Sequence, residues 1–210
     1  ERVGGTCLNH GCIPTKTLYR TAEALNEMRS AASLGVHAEN VSLNLNDARE
    51  RERKVVDTLV SGVQSLLKSN GVAVVTGEAS FVDANTLRVG DETYTADAFL
   101  LATGSKTAIL PIEGIGLDGV MDSAEALRLD EIPERLVIIG GGVIGVEMAG
   151  IYRAFGAGVA VVEFLPSILS MLDGELAGFS AKRLAAQGVE LYTATKVTKI
   201  EGARGALTVH

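Results

Sequence analysis

In the first third of the chain, apolar residues recur at helical spacing. Leu18, Ala22, Leu25 and Met28 fall three or four positions apart, which predicts a helix over residues 13–28. Residues 30–46, around Gly35-Val36-His37, break the pattern and read as a loop, with His37 an ordinary surface histidine. A long helix is predicted over 47–70. Its first turns are charged, and Val56, Leu59, Val60, Val63, Leu66 and Leu67 then build one apolar face before Asn70-Gly71 caps it.

From residue 72 the period shortens to that of strands. Val72-Ala73-Val74-Val75 is a short apolar run, and 77–82, 86–89 and 93–95 are separated by turns at Asp83-Ala84-Asn85 and Gly90-Asp91, a β-meander. Phe99-Leu100-Leu101-Ala102 reads as a buried strand running into Thr103-Gly104-Ser105. Residues 110–133 form a connector holding one short helix, 123–129, with Ser123 as its N-cap. Beyond it lie an apolar strand at 136–139, a helix at 143–155, a strand at 159–162 and a helix at 173–187 closed by Gly188. Strands at 189–192, 196–200 and 207–209 complete the chain. Strands alternating with helices put the chain in the α/β class.

Composition narrows the picture. Apolar residues make up 47% of the 210, enough for a substantial core, and 24 glycines fit a turn-rich α/β chain. The net charge of −7 comes with no basic block, which argues against a nucleic-acid partner. No run of about 18 uncharged apolar residues occurs, so no transmembrane helix is expected; the longest candidate, 136–151, is interrupted by glycines and Glu147. No signal peptide opens the chain, and sparse cysteine fits a reducing compartment, so a cytoplasmic location is the expectation.

The strand at 136–139 runs directly into Gly140-Gly141-Gly142-Val143-Ile144-Gly145, which matches G-x-G-x-x-G. A lone glycine pattern carries little weight. This one has a strand before it, a helix after it, a second strand, and Glu163 about 20 residues on, as a dinucleotide-binding fingerprint requires. Gly140 makes the tight turn, Gly142 admits the pyrophosphate and Gly145 lets helix and strand pack closely, with Val143 and Ile144 opening the helix N-terminus. Glu163 can accept hydrogen bonds from a ribose 2′-hydroxyl and would repel a 2′-phosphate. No arginine follows it in Phe164-Leu165-Pro166, so NAD is expected rather than NADP.

Both cysteines of the chain lie in Gly4-Gly5-Thr6-Cys7-Leu8-Asn9-His10-Gly11-Cys12-Ile13-Pro14-Thr15-Lys16. They are a redox pair, half of a metal site, or buried small hydrophobes. A structural zinc site needs about four Cys or His ligands, and only two cysteines and three histidines exist, so no metal is expected. In a regular helix, residues i and i+5 are separated by roughly 500° of rotation and about 7.5 Å of rise. A Cys7–Cys12 bridge therefore needs an irregular turn, which Gly11 can supply. Pro14 suits a helix start, and Cys12 would lie at the positive end of the helix dipole, which favours its thiolate.

This thirteen-residue segment resembles the active-site segment of the class I pyridine nucleotide–disulfide oxidoreductases, and among them most resembles that of the dihydrolipoamide dehydrogenases. Glutathione-type and mercuric reductases are relatives. His10 stands where Val or Arg is more usual. The resemblance runs through the whole chain and implies two Rossmann-like FAD/NAD(P)-binding domains (three-layer ββα), both truncated, with the β-meander in the first. The division is 1–112 for the FAD-binding part with the redox disulfide, 113–133 for the connector, and 134–210 for the NAD-binding part.

The resemblance further implies that Cys7 and Cys12 form the redox disulfide, with Cys7 the exchanging sulfur and Cys12 facing the flavin. Lys16, Ala79, Thr103, Gly104 and Ser105 correspond to FAD-contacting positions. Gly140, Gly142, Val143, Ile144, Gly145, Glu147, Glu163 and Val197 correspond to NAD-contacting ones, with Glu147 pairing to Lys16 at the flavin–nicotinamide junction. The implied reaction is dihydrolipoamide plus NAD⁺ to lipoamide plus NADH. The parent would be a homodimer, serving a 2-oxo acid dehydrogenase or glycine cleavage complex. The family's first Gly-rich loop and its dimerisation domain, which carries the acid–base histidine, are expected outside these 210 residues. The 210-residue piece is thus not expected to turn over alone. Two alternatives stay open: a mercuric or glutathione-type reductase, and a non-catalytic NAD-binding module.

Overall fold

A computed structural model of the chain describes residues 2–210. Three helices come first: α1 (Gly5–His10), α2 (Cys12–Ser30) and α3 (Leu45–Ser69). The meander β1 (Ala79–Asp83), β2 (Thr86–Val89) and β3 (Glu92–Thr95) follows, antiparallel throughout. A one-turn helix, α4 (Ser123–Ala126), precedes the alternating part. That part comprises β4 (Arg135–Ile139), α5 (Val143–Phe155), β5 (Gly158–Val162), α6 (Gly174–Ala186) and β6 (Glu190–Tyr192). A hairpin of β7 (Ile200–Ala203) and β8 (Ala206–Val209) ends the chain. The alternating strands form a parallel sheet in the order β4-β5-β6. No helix among the described residues is long and apolar enough to cross a membrane.

β5 is the central strand, and its Val159, Ala160 and Val161 are almost fully buried. A parallel strand covered on its faces reads as a continuous apolar run, which is why the 159–162 pattern lacks alternation. Against this sheet packs α5, with Ile151 and Ala149 fully buried. One hydrophobic cluster takes side chains from either side of the connector. Leu18, Ala22 and Leu25 of α2 and Ala48 of α3 join Met148, Ile151, Tyr152 and Phe155 of α5 and Leu184 of α6. A smaller cluster seats Leu8 of α1 against Val56 and Val60 of α3.

The helices lie close to where the apolar periodicity puts them, but their caps differ. α3 starts two residues early because the Asn44 side chain accepts from the backbone N–H groups of Asn46 and Asp47. Asp122, not Ser123, caps α4, in a reciprocal capping box with Glu125. α2 begins at Cys12, one residue before the expected start, and the preceding stretch is itself helical.

Two expected strands are absent. Residues 72–76 and 99–102 form no ladder, and the second is not buried: Leu100 is 92% exposed and Leu101 69%. An apolar run becomes a strand only when a neighbouring backbone pairs its N–H and C=O groups, and no strand among the described residues does so here. The expected strand at 196–200 is likewise displaced. The β7–β8 ladder begins at Ile200, because the Arg204-Gly205 turn sets the hairpin register, and Lys199 before it bridges to Glu113.

Candidate active site

The cysteine segment owes its shape to one residue. α1 ends at His10, and Gly11, at φ −137° and ψ −109°, breaks the helical path before α2 restarts at Cys12. The break brings the Cα atoms of Cys7 and Cys12 to 4.6 Å, and the two are joined as a disulfide. Continuous helix would hold them about 9 Å apart. A Cβ at position 11 would lie 3.1 Å from the Thr6 carbonyl oxygen and 3.3 Å from the Cys7 Cα, so any side chain there would press on the backbone of α1. Both cysteines are exposed. Cys12 is the first residue of α2, at a helix N-terminus that no side chain caps, where the dipole favours a thiolate.

Lys16 lies one turn further along α2. Its Nζ donates to Glu147 Oε1 on α5 at 2.5 Å. The contact joins residues 131 positions apart and is a consequence of α2 packing on α5. The helix that starts with a redox-capable sulfur is thereby tied to the helix that starts at the glycine turn.

That turn follows β4. Gly140 sits at φ +106°, a conformation other L-residues resist, and its N–H donates to Val162 O at 2.8 Å. Gly145 is pressed against the turn: a Cβ there would be 2.1 Å from the Gly140 carbonyl oxygen. At Gly142 a Cβ would meet nothing within 4 Å, so the missing side chain leaves open space in front of α5. No side chain caps α5, and the N–H groups of its first turn, Val143, Ile144 and Gly145, have no partner within the helix. An anion fits there.

Glu163 closes the site at the end of β5. One carboxylate oxygen accepts from Gly141 N–H at 2.6 Å and the other from Leu165 N–H at 2.7 Å. The head group is thus fixed while lone pairs remain for a ribose diol. Gly141 occupies a position the fingerprint leaves free. A Cβ there would lie 2.7 Å from Ile168 Cγ2, and its carbonyl accepts from Leu169 N–H at 2.8 Å. Gly141, Ile168 and Leu169 escaped the sequence reading, although a glycine at the free middle position of Gly140-Gly141-Gly142 was a signal that this loop is gripped from behind.

The remaining expected positions are scattered. Thr103, Gly104 and Ser105 lie exposed in irregular chain, Ala79 opens β1 and is exposed, and Val197 is buried. Among the described residues no hydrogen bond joins any of them to the Lys16–Glu147 pair.

A protein-family model described as pyridine nucleotide-disulphide oxidoreductase matches residues 1–210. The dihydrolipoyl dehydrogenase of Mycoplasma pneumoniae is 39% identical over 204 residues, covering 95% of this chain and 45% of the relative. That of Geobacillus stearothermophilus is 40% identical over 211 residues, covering 99% and 45%. Among solved structures, the Cu(II) complex of the HOCl-induced flavoprotein disulfide reductase RclA from Escherichia coli is similar with a TM-score of 0.84. It is 32% identical, over 100% of this chain and 45% of that one. The chain therefore spans less than half the length of these relatives.

Proposed function

Since the chain belongs to the pyridine nucleotide-disulphide oxidoreductase family, we propose that the full protein is an FAD- and NAD-dependent disulfide oxidoreductase that oxidises dihydrolipoamide. The observation that carries this reading is the joining of three parts on two packed helices. They are the Cys7–Cys12 disulfide at the start of α2, the Lys16–Glu147 ion pair, and the glycine turn at the start of α5.

The sulfur chemistry is a two-step exchange. A thiolate of the dithiol substrate attacks Sγ of Cys7, the Cys7–Cys12 bond breaks, and Cys12 leaves as a thiolate. The second substrate sulfur then attacks the substrate sulfur held on Cys7, closes the substrate disulfide and releases Cys7. Two electrons have moved to the protein, and the two thiol protons go to the Cys7 sulfur and to solvent. The helix dipole at the α2 N-terminus makes Cys12 the better leaving group.

The chain offers residues for both cofactors. The open space at Gly142 and the free N–H groups of α5 would hold the NAD diphosphate, and Glu163 the adenosine ribose. Lys16 and the exposed backbone of Thr103, Gly104 and Ser105 would hold FAD, with Cys12 one turn from the Lys16 ammonium. FAD, when bound, supplies the two-electron route from the Cys12 sulfur to the nicotinamide. Lys16 stabilises negative charge on that route, and Glu147 orients the ammonium. In a complete protein this organisation would consist of an FAD-binding part over 1–112, a connector over 113–133 and an NAD-binding part over 134–210, assembled as a homodimer.

The test is turnover by the purified full protein. Flavin absorbance, with NAD⁺ reduced by dihydrolipoamide and little activity with NADP⁺, is the expected result. A yellow protein that instead reduces oxidised glutathione or Hg(II) with NADPH would move the assignment to those reductases. A colourless protein with unreactive cysteines would overturn it.

A further inference from the structure

α1 is too short to stand alone. Isolated helices need about 12–15 residues to be even marginal in water, and α1 has six. It carries Cys7, and three contacts hold it. The first is the disulfide to Cys12. The second is Leu8, seated on Val56 and Val60 of α3. The third is at its end, where an Arg128 guanidinium nitrogen lies 2.6 Å from His10 Nδ1.

Arg128 has a rigid mount. The residue two before it, Ala126, is buried and its carbonyl accepts from the Tyr152 hydroxyl of α5. Burial pushes that phenol up to about 12, so it remains a donor at any neutral pH. Leu127 is buried, and the Leu129 carbonyl accepts from Arg49 of α3 at 3.1 Å. The backbone that carries Arg128 is thus fixed on both sides, to α5 and to α3. Because guanidinium only donates, Arg128 is the donor and His10 Nδ1 the acceptor in this contact.

Of the three restraints on α1, the covalent one disappears when the bridge opens. We propose that Arg128 and His10 are a positioning pair that keeps Cys7 over Cys12 in the dithiol state and so favours reclosure of the disulfide. The pair and the bridge support one another. With the bridge closed, α1 is held in place and the hydrogen bond forms fully. With it open, α1 has other conformations to escape to, and the bond restricts them. Removing the pair therefore costs the disulfide state more than the dithiol state, and lowers the effective concentration of one sulfur at the other.

The inference rests on the proposed opening and closing of Cys7–Cys12, but its test does not require turnover. The equilibrium is one protein disulfide plus two glutathione thiols against one protein dithiol plus one glutathione disulfide. The full protein is equilibrated across a glutathione redox series and the Cys7 and Cys12 thiols are counted by alkylation. Arg128→Met and His10→Val are expected to shift the equilibrium about three- to tenfold toward the dithiol, the range for losing one charge-assisted bond at a solvent-accessible site. His10→Gln, whose amide oxygen can still accept from Arg128, is expected to remain within about twofold of the parent. Both residues are exposed, so loss of folding is not the expected outcome; if Arg128→Met fails to fold, His10→Val against His10→Gln still decides. Wild-type equilibria for Arg128→Met and His10→Val overturn the proposal, as does an equal shift for Val and Gln at position 10. A failure here leaves the reaction proposed above untouched, because that reading is tested by turnover and nucleotide preference.

Discussion

Two segments of this chain look alike on paper: an apolar run into a glycine turn at 136–145, and another at 99–105. They end in opposite states. The first is β4, paired along its full length with β5, and its glycine turn is clamped by α5, Glu163 and Ile168. The second has no partner strand, leaves Leu100 and Leu101 in water, and reaches a glycine whose Cβ would touch nothing. Local sequence supplies the same propensity to both. What separates them is a neighbour. β4 meets a buried strand that returns beside it after a crossover helix, while among the described residues nothing pairs with 99–102.

The largest test of that difference is a pair of truncations. Ile151→Ala, at a fully buried position on α5, should cost about 3–4 kcal/mol by urea unfolding. Leu100→Ala should cost about 0.5 kcal/mol or less. A large loss at Leu100 would show that 99–102 is covered in solution and would break the contrast. The two glycine turns give the next test. Gly145→Ala drives a methyl into the Gly140 carbonyl and should cost about 2–3 kcal/mol. It should also weaken NADH binding more than about tenfold by fluorescence titration. Gly104→Ala meets no atom, but its φ of +75° should still cost about 1 kcal/mol. Equal effects at the two positions would mean that both turns are equally built.

The smallest effect belongs to α3. Burial raises the Glu52 carboxyl above its ordinary range, outweighing the attraction of Arg49, Arg53 and Arg128. With the folded value above the unfolded 4.5, stability falls as pH rises from 4.5 through the folded value, because the unfolded chain gives up its proton first. Glu52→Gln should therefore be more stable at neutral pH by a few tenths of a kcal/mol, screened by the solvent that reaches this half-buried group. The advantage should vanish at about pH 4. Thermal melts across pH check both the sign and the window.

Much of this is legible in the sequence. Approximate helix positions, though not their caps, followed from apolar spacing, and the fingerprint glycines with Glu163 followed from a motif whose chemistry is backbone geometry. Once the family resemblance implied a Cys7–Cys12 bridge, the break between them was legible too, since a five-residue separation cannot be bridged along a regular helix and Gly11 was the residue able to yield. Arg128 was not legible. It sits 118 positions from His10, and no period or composition cue marks an arginine in a connector as the partner of a particular imidazole.

Sequence alone determined the elements with a local cause: helices with an apolar face, turns that require glycine, and a carboxylate at the end of a strand. Only the tertiary structure decided which apolar runs became strands, that α2 packs on α5 so that Lys16 meets Glu147, and which side chains reach the cysteine turn. The reason is physical. Helices and turns satisfy their hydrogen bonds within a few residues, whereas sheets and ion pairs between helices are completed by groups that only folding brings close.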